Sequence, residues 1–138
     1  MGKRYTSIHD NDPLRVVLAS RLSDRMADFK RGLAAHAEVE IFQADSGEEA
    51  LQFLADQRID LIAIDQVVTD MGGLEVAKTV AQFHPFVSSV LVSDASEADF
   101  HEQTEGLGVL MRLPEAPDES AALKVLQHME KAFAAKVC

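Results

Sequence analysis

The chain has 138 residues, 47% of them hydrophobic, with 23 acidic against 13 basic side chains and a formal net charge of -10. That length and apolar content suit one domain with a core of its own, while the negative charge repels phosphate backbones and anionic lipid, so nucleic acids and membranes are not expected partners. No apolar run approaches the ~18 residues of a membrane span, Met1 to Pro13 lacks the apolar centre of a secretory signal, and the only cysteine, Cys138, allows neither an internal disulfide nor a thiolate cluster, so a cytoplasmic protein is expected.

A polar tail, residues 1–13, precedes a domain predicted over 14–138. Arg15 to Ala19 is a β-branched run fit for a buried strand, and Ser23 opens a helical stretch with Met26, Phe29 and Leu33 on one face. Val39 to Ala44 predicts a second strand. Ser46 and Glu49 then stand at capping-box spacing ahead of Ala50, Leu51 and Leu54. Leu61 to Ile64 is apolar on both faces, as a parallel strand covered on each side must be, and Gly73 to Phe83 is the next helix. Val87 to Ser93 repeats the strand pattern, Ser96 with Asp99 starts a short polar helix that stops at Gly106, and Val109 to Leu113 is a fifth strand. Glu119 to Ala135 closes the chain as a helix whose buried stripe is Ala122, Val125, Leu126, Met129 and Phe133. Strands alternating with helices in this way predict an α/β fold, a single doubly wound parallel sheet of five strands with helices on both faces.

In such sheets chemistry gathers at the carboxyl ends of the strands. Those ends supply Ala19 and Ser20, Ala44 and Asp45, Asp65, Ser93 and Asp94, and Leu113 and Pro114. Asp65 has two readings, a chemical group or a carboxylate that caps turn amides; Ser93 is either a site hydroxyl or one bonded to its own loop. Asp45, beside Ser46, reads as a helix-start residue. The histidines at 9, 36, 84, 101 and 128 show no paired spacing on one helix, so no zinc site is expected, and phosphate-loop and nucleophile-elbow motifs are absent.

Three stretches carry a resemblance to the receiver domain of bacterial two-component response regulators, from about Leu14 to Val137. In "LIAIDQVVTDMGG" Asp65 stands at the family's phosphoacceptor position, and Met71 and Gly73 at those of its loop Met and Gly, while Val68, Thr69 and Gly72 depart from the pattern. "VLVSDA", Val90 to Ala95, places Ser93 at the family's hydroxyl position, and "GLGVLMRLP", Gly106 to Pro114, is similar to its glycine, fifth strand and Lys-Pro ending. The resemblance implies the flavodoxin-like strand order 2-1-3-4-5 and a role in phosphorelay signalling. It also implies a contact face on the fourth helix, fifth strand and last helix, with a homodimer through the last helix and fifth strand; Leu123 and Ala134 lie off the buried stripe there.

The departures bear on chemistry. Where the family has two acidic residues that help its phosphoacceptor hold Mg²⁺, this chain has Ala19 and Ser20. The family's lysine is Leu113, with Arg112 on the opposite face, and its switch aromatic is Leu110. Removing one stabilising donor from such a site typically costs ~3 kcal/mol. Asp24, Asp70 and Asp94 are the carboxylates available as substitutes. The expectation is a non-enzymatic receiver-like module with a degenerate phosphorylation site and no cofactor, binding other signalling proteins, a histidine kinase among them. The alternative is an active receiver phosphorylated on Asp65, with Mg²⁺ as its ion. A flavin-binding module, resting on "ASRLSD" as a weak phosphate loop without glycine, is the least favoured reading.

Overall fold

The β-branched runs pair side by side into one sheet, and the segments of helical period cover its two faces. A computed structural model of the chain describes residues 12–66 and 70–137, leaving out the side chains of Ser23 and of residues 132–137. Residues 1–11 of the polar tail, Val68 and Thr69, the side chains of Phe133 and Ala134, and Cys138 lie outside the described residues.

In chain order the elements are β1 (Leu14–Ala19), a 3-10 turn (Ser23–Met26), α1 (Ala27–His36), β2 (Val39–Ala44), α2 (Gly47–Asp56), β3 (Leu61–Ile64), α3 (Gly73–Phe83), β4 (Ser88–Val92), α4 (Glu97–Thr104), β5 (Val109–Leu113) and α5 (Glu119–Val137). The strands are all parallel, in the order β2-β1-β3-β4-β5. This is the doubly wound order the resemblance implied. Two boundaries differ in kind from the sequence reading. Ser23 opens a 3-10 turn, with the α-helix beginning only at Ala27, and Ser93 lies one residue past the end of β4.

Alternation along each strand divides the core in two. Val16, Leu18, Leu61, Ala63, Val90, Val92 and Leu113 face α1 and α5, where Phe29, Leu33, Val125 and Leu126 meet them. Val17, Ala19, Ile62, Ile64 and Leu91 face the other way, onto Ala50, Leu54, Val76, Val80 and Phe100 of α2, α3 and α4. All four residues of β3 are buried, as the uninterrupted apolar run required. Each large aliphatic side chain so buried contributes about 1.5–3 kcal/mol.

The helix starts follow from local chemistry. Ser46 Oγ accepts from the amide of Glu49 at 3.0 Å, while the Glu49 carboxylate accepts from the amide of Asp45 at 2.9 Å. Ser96 Oγ accepts from the amide of Asp99 at 3.1 Å. These bonds satisfy amides that the first helical turn leaves without partners. Between β4 and β5 the pairing runs Ser89 to Val109 but Leu91 to Arg112, so β5 carries one extra residue, a bulge before its end. No helix among the described residues is long and apolar enough to cross a membrane.

Candidate functional site

β1 and β3 are neighbours in register, with Ala19 opposite Ile64, so the residues that follow them, Ser20 and Asp65, emerge together at the carboxyl edge of the sheet. The amide of Asp65 donates to the carbonyl of Ala19 at 2.8 Å, which extends the pairing by one step and fixes where the carboxylate begins. Asp65 is 0% exposed. Ser20 Oγ donates to Asp65 Oδ2 at 2.7 Å and accepts from the amide of Leu22 at 3.0 Å. The same hydroxyl thus holds the aspartate and bends the chain into the 3-10 turn.

That turn delivers a residue the sequence reading did not single out. Arg25, whose amide donates to the carbonyl of Leu22 at 2.9 Å, carries its guanidinium back over the strand ends. Arg25 Nη2 lies 3.4 Å from Asp65 Oδ1, with the arginine side chain 24% exposed. Neither atom has a hydrogen-bond partner, so the contact is a buried ion pair. A carboxylate out of water needs a counter-charge. Here the chain supplies its own.

The loop behind the aspartate explains two of the motif positions. A Cβ on Gly73 would meet the Asp65 carbonyl oxygen at 2.6 Å, so only glycine lets α3 start this close to the strand end. Met71 is half-buried against the core on the α2 and α3 face. Asp70 turns away from Asp65: its two carboxylate oxygens accept from the amides of Gly47 at 2.7 Å and Glu48 at 3.0 Å, capping α2 from another loop. The bond from Gly47, with that from Glu48 and against desolvation, holds the Asp70 carboxyl below its ordinary value.

Ser93 is buried, but its hydroxyl accepts from the amide of Ala95 at 3.1 Å, the bond of a side chain serving its own loop. Its carbonyl accepts from Arg112 Nη1 at 3.0 Å, and Arg112 Nε donates to Glu97 Oε1 at 3.1 Å. Arg112 therefore ties β5 to the loop that starts α4, on the face opposite fully buried Leu113. Asp24 and Asp94 are exposed. Across the mouth of the site Gln66 Nε2 donates to Glu115 Oε1 at 3.3 Å.

Mg²⁺ demands near-octahedral oxygen at about 2.0–2.1 Å. One Asp65 oxygen is taken by Ser20 and the other faces a guanidinium 3.4 Å away, where a second cation would meet like charge. No group of three His, Cys, Asp or Glu residues is placed to hold a metal among the described residues. The residues present do not fit the ion.

A five-stranded parallel sheet in this order is the flavodoxin-like doubly wound fold, here with an aspartate directly after its central strand. The response regulator receiver domain matches residues 22–114, and the chain belongs to that family. Sporulation initiation phosphotransferase F of Bacillus subtilis is 28% identical over 69 residues, covering 50% of this chain and 56% of that relative, so the chain spans little more than half its length. The signal receiver domain of an HD domain-containing protein from Pseudomonas fluorescens superposes with a TM-score of 0.75 at 17% identity, covering 90% of this chain and 92% of the other. The chemotaxis response regulator CheY4 of Vibrio cholerae gives 0.70 at 22% identity, covering 84% and 98%. These two likenesses establish the fold.

Proposed function

We propose that this receiver domain acts in two-component signalling as a protein-interaction module that works without phosphorylation of Asp65. One observation carries the reading: the Asp65 carboxylate is fully buried, with Ser20 on one oxygen and the Arg25 guanidinium against the other. Phosphoryl transfer depends on an accessible nucleophile and on cations that meet the charge of the transferring group. The arginine neutralises the nucleophile instead. In the same site Leu113 is an apolar core residue, offering no charge to a phosphoryl group.

Partner signalling proteins, in the cytoplasm, meet the domain at the face of α4, β5 and α5. A cleft of about 510 Å³ opens there, with Phe100, Val109, Leu110 and Met111 in its lining, and Glu97 and Glu105 at its edge. Leu110 gives the cleft an aliphatic floor in place of a swinging ring, so partner binding does not wait on a phosphorylation signal.

The test is incubation with a small phosphodonor and Mg²⁺, beside an active receiver as control, followed by intact-mass measurement. The expected result is no phosphoryl adduct. An adduct on the native chain that Asp65→Asn abolishes would overturn the reading and establish the active phosphoacceptor in its place.

A further inference from the structure

α4 and the residue that ends it carry four carboxylates, Glu97, Asp99, Glu102 and Glu105, and no lysine or arginine. Glu97 has a use inside the fold, because Arg112 donates to it. The other three follow one another at intervals of three residues, all exposed, and no cation pairs with them among the described residues. Asp99 sits in the first turn, where the helix dipole favours an acid. Glu102 and Glu105 lie at the other end, where the dipole favours a cation, and like charges at this spacing repel. These two carboxylates therefore do not serve the helix that carries them.

Beside them lies an apolar floor. β5 is a margin of the sheet, and Val109, Leu110 and Met111 are only half-buried along it. With Phe100 they line the cleft of about 510 Å³, and Glu105 stands in the same lining. The one arginine there, Arg112, is already engaged by Glu97 and the Ser93 carbonyl. The bulge in β5 falls at Leu110 and Met111, and it interrupts the ladder of amides and carbonyls that an added strand would need. Side chains, not a sixth strand, are what the cleft can receive.

We propose, on the reading that partners meet this face, that the cleft takes a cationic amphipathic helix of a partner protein. An apolar side chain of that helix enters between α4 and β5, and its lysines or arginines meet Glu102 and Glu105. Charge selects this occupant: a chain of net charge -10 repels acidic segments, and equally a second copy of itself, and attracts basic ones. A helix with apolar and basic residues on adjacent faces offers both contacts at once. The carboxylates steer the encounter, and the apolar anchor sets how long it lasts.

The probe is a labelled model peptide of leucine and lysine, amphipathic as a helix, titrated with the full chain by fluorescence anisotropy in low and in high salt. A leucine and glutamate peptide of the same pattern and a serine and lysine peptide of the same charge are the controls. The expected result is one-to-one binding of the leucine and lysine peptide, weakened by salt, with no binding of the acidic control and at least about tenfold weaker binding of the serine control. Glu102→Lys with Glu105→Lys weakens binding at least about tenfold and raises the melting temperature, because the helix end gains cations. Glu48→Lys with Asp56→Lys, the same change of charge on exposed positions of α2, has a much smaller effect. Leu110→Ser also weakens binding. Phe86→Ser leaves it unchanged, although Phe86 is 89% exposed on the turn that the Val87 amide closes onto the His84 carbonyl between α3 and β4. Absence of binding, binding of both leucine peptides alike, equal loss in the α4 and α2 pairs, or loss in Phe86→Ser would each overturn the proposal. Repeating the titration after treatment with phosphodonor and Mg²⁺ separates the two readings. Binding that appears only after treatment overturns phosphorylation-independent action and upholds the cationic partner; absence in both conditions overturns the cationic partner alone.

Discussion

Ser20 and Asp65, which leave neighbouring strands 45 residues apart in the chain, share a hydrogen bond of 2.7 Å that is wholly buried. The bond is made to a charged acceptor, a kind worth about 1.5–3 kcal/mol. Ser20→Ala removes it and also the acceptor for the amide of Leu22. We expect a loss of stability at the upper end of that range, measured as a lower denaturant midpoint at unchanged slope.

The Arg25 and Asp65 pair predicts non-additivity. Removing one partner of a buried pair leaves the other uncompensated and costs about 3–5 kcal/mol, whereas removing both can be nearly neutral. Arg25→Met alone should destabilise strongly, and adding Asp65→Asn should restore much of the loss. A double-mutant cycle by chemical denaturation measures the coupling; additive effects would mean that the two groups do not interact.

The same pair predicts what rebuilding the phosphorylation site requires. Ala19→Asp, Ser20→Asp and Leu113→Lys restore the groups that the family resemblance implies, but leave the guanidinium 3.4 Å from Asp65. Adding Arg25→Thr to the triple variant should increase Mg²⁺ affinity at least tenfold over the triple variant alone, as read by calorimetric titration. Equal affinities would show that the arginine does not compete with the ion.

Asp70 predicts a pH dependence. Its carboxyl is held below the ordinary 3.8 by amides of α2, so the folded state binds its proton less readily than the unfolded chain. The group therefore stabilises the fold above the unfolded value, and the contribution is lost as the pH falls through the lower folded value. Asp70→Asn should lower the melting temperature near neutrality and flatten its decline between about pH 5 and about pH 2.

Gly32 predicts a packing defect. A Cβ there would meet the Glu119 Cα at 2.7 Å and the Ala122 Cβ at 2.8 Å, so α1 and α5 touch through a glycine. Gly32→Ala gains up to about 1 kcal/mol of helix propensity. Backbone cannot yield as a flexible side chain can, so overpacking of about 1–3 kcal/mol prevails. We expect a lower melting temperature with an unchanged fold.

The fold was legible because its signals are local. Leu61 to Ile64 declares a buried strand by composition, and Ser46 with Glu49 and Ser96 with Asp99 mark helix starts by spacing alone; both serines make the predicted caps. The candidate site was legible only in its backbone positions. Ser20 was read only as the replacement of a lost acid, its bond to Asp65 being a tertiary contact, and Arg25 reaches Asp65 through a 3-10 turn, whose tighter winding of about three residues per turn no spacing announced. An arginine following a strand end that has lost its acids was the available signal. Asp70 was read as a spare carboxylate near Asp65, and its service to α2 depends on a loop crossing that no spacing records. Phe86 belongs to no periodic stripe in the sequence, and its exposure follows from the turn that carries it.

The strand order has a further consequence for how the domain breathes. β1 and β3 lie inside the sheet, bonded on both sides, while β2 and β5 are its margins. Amide protons of β1 and β3 should exchange with solvent deuterium only through opening of the whole domain, and those of β5 through smaller local openings. Asp65 is anchored to the slowest-exchanging part and the α4 and β5 cleft borders the faster part. Whatever binds the cleft is thus expected to leave its protection footprint along β5 and α4, with the amides around the buried aspartate unchanged.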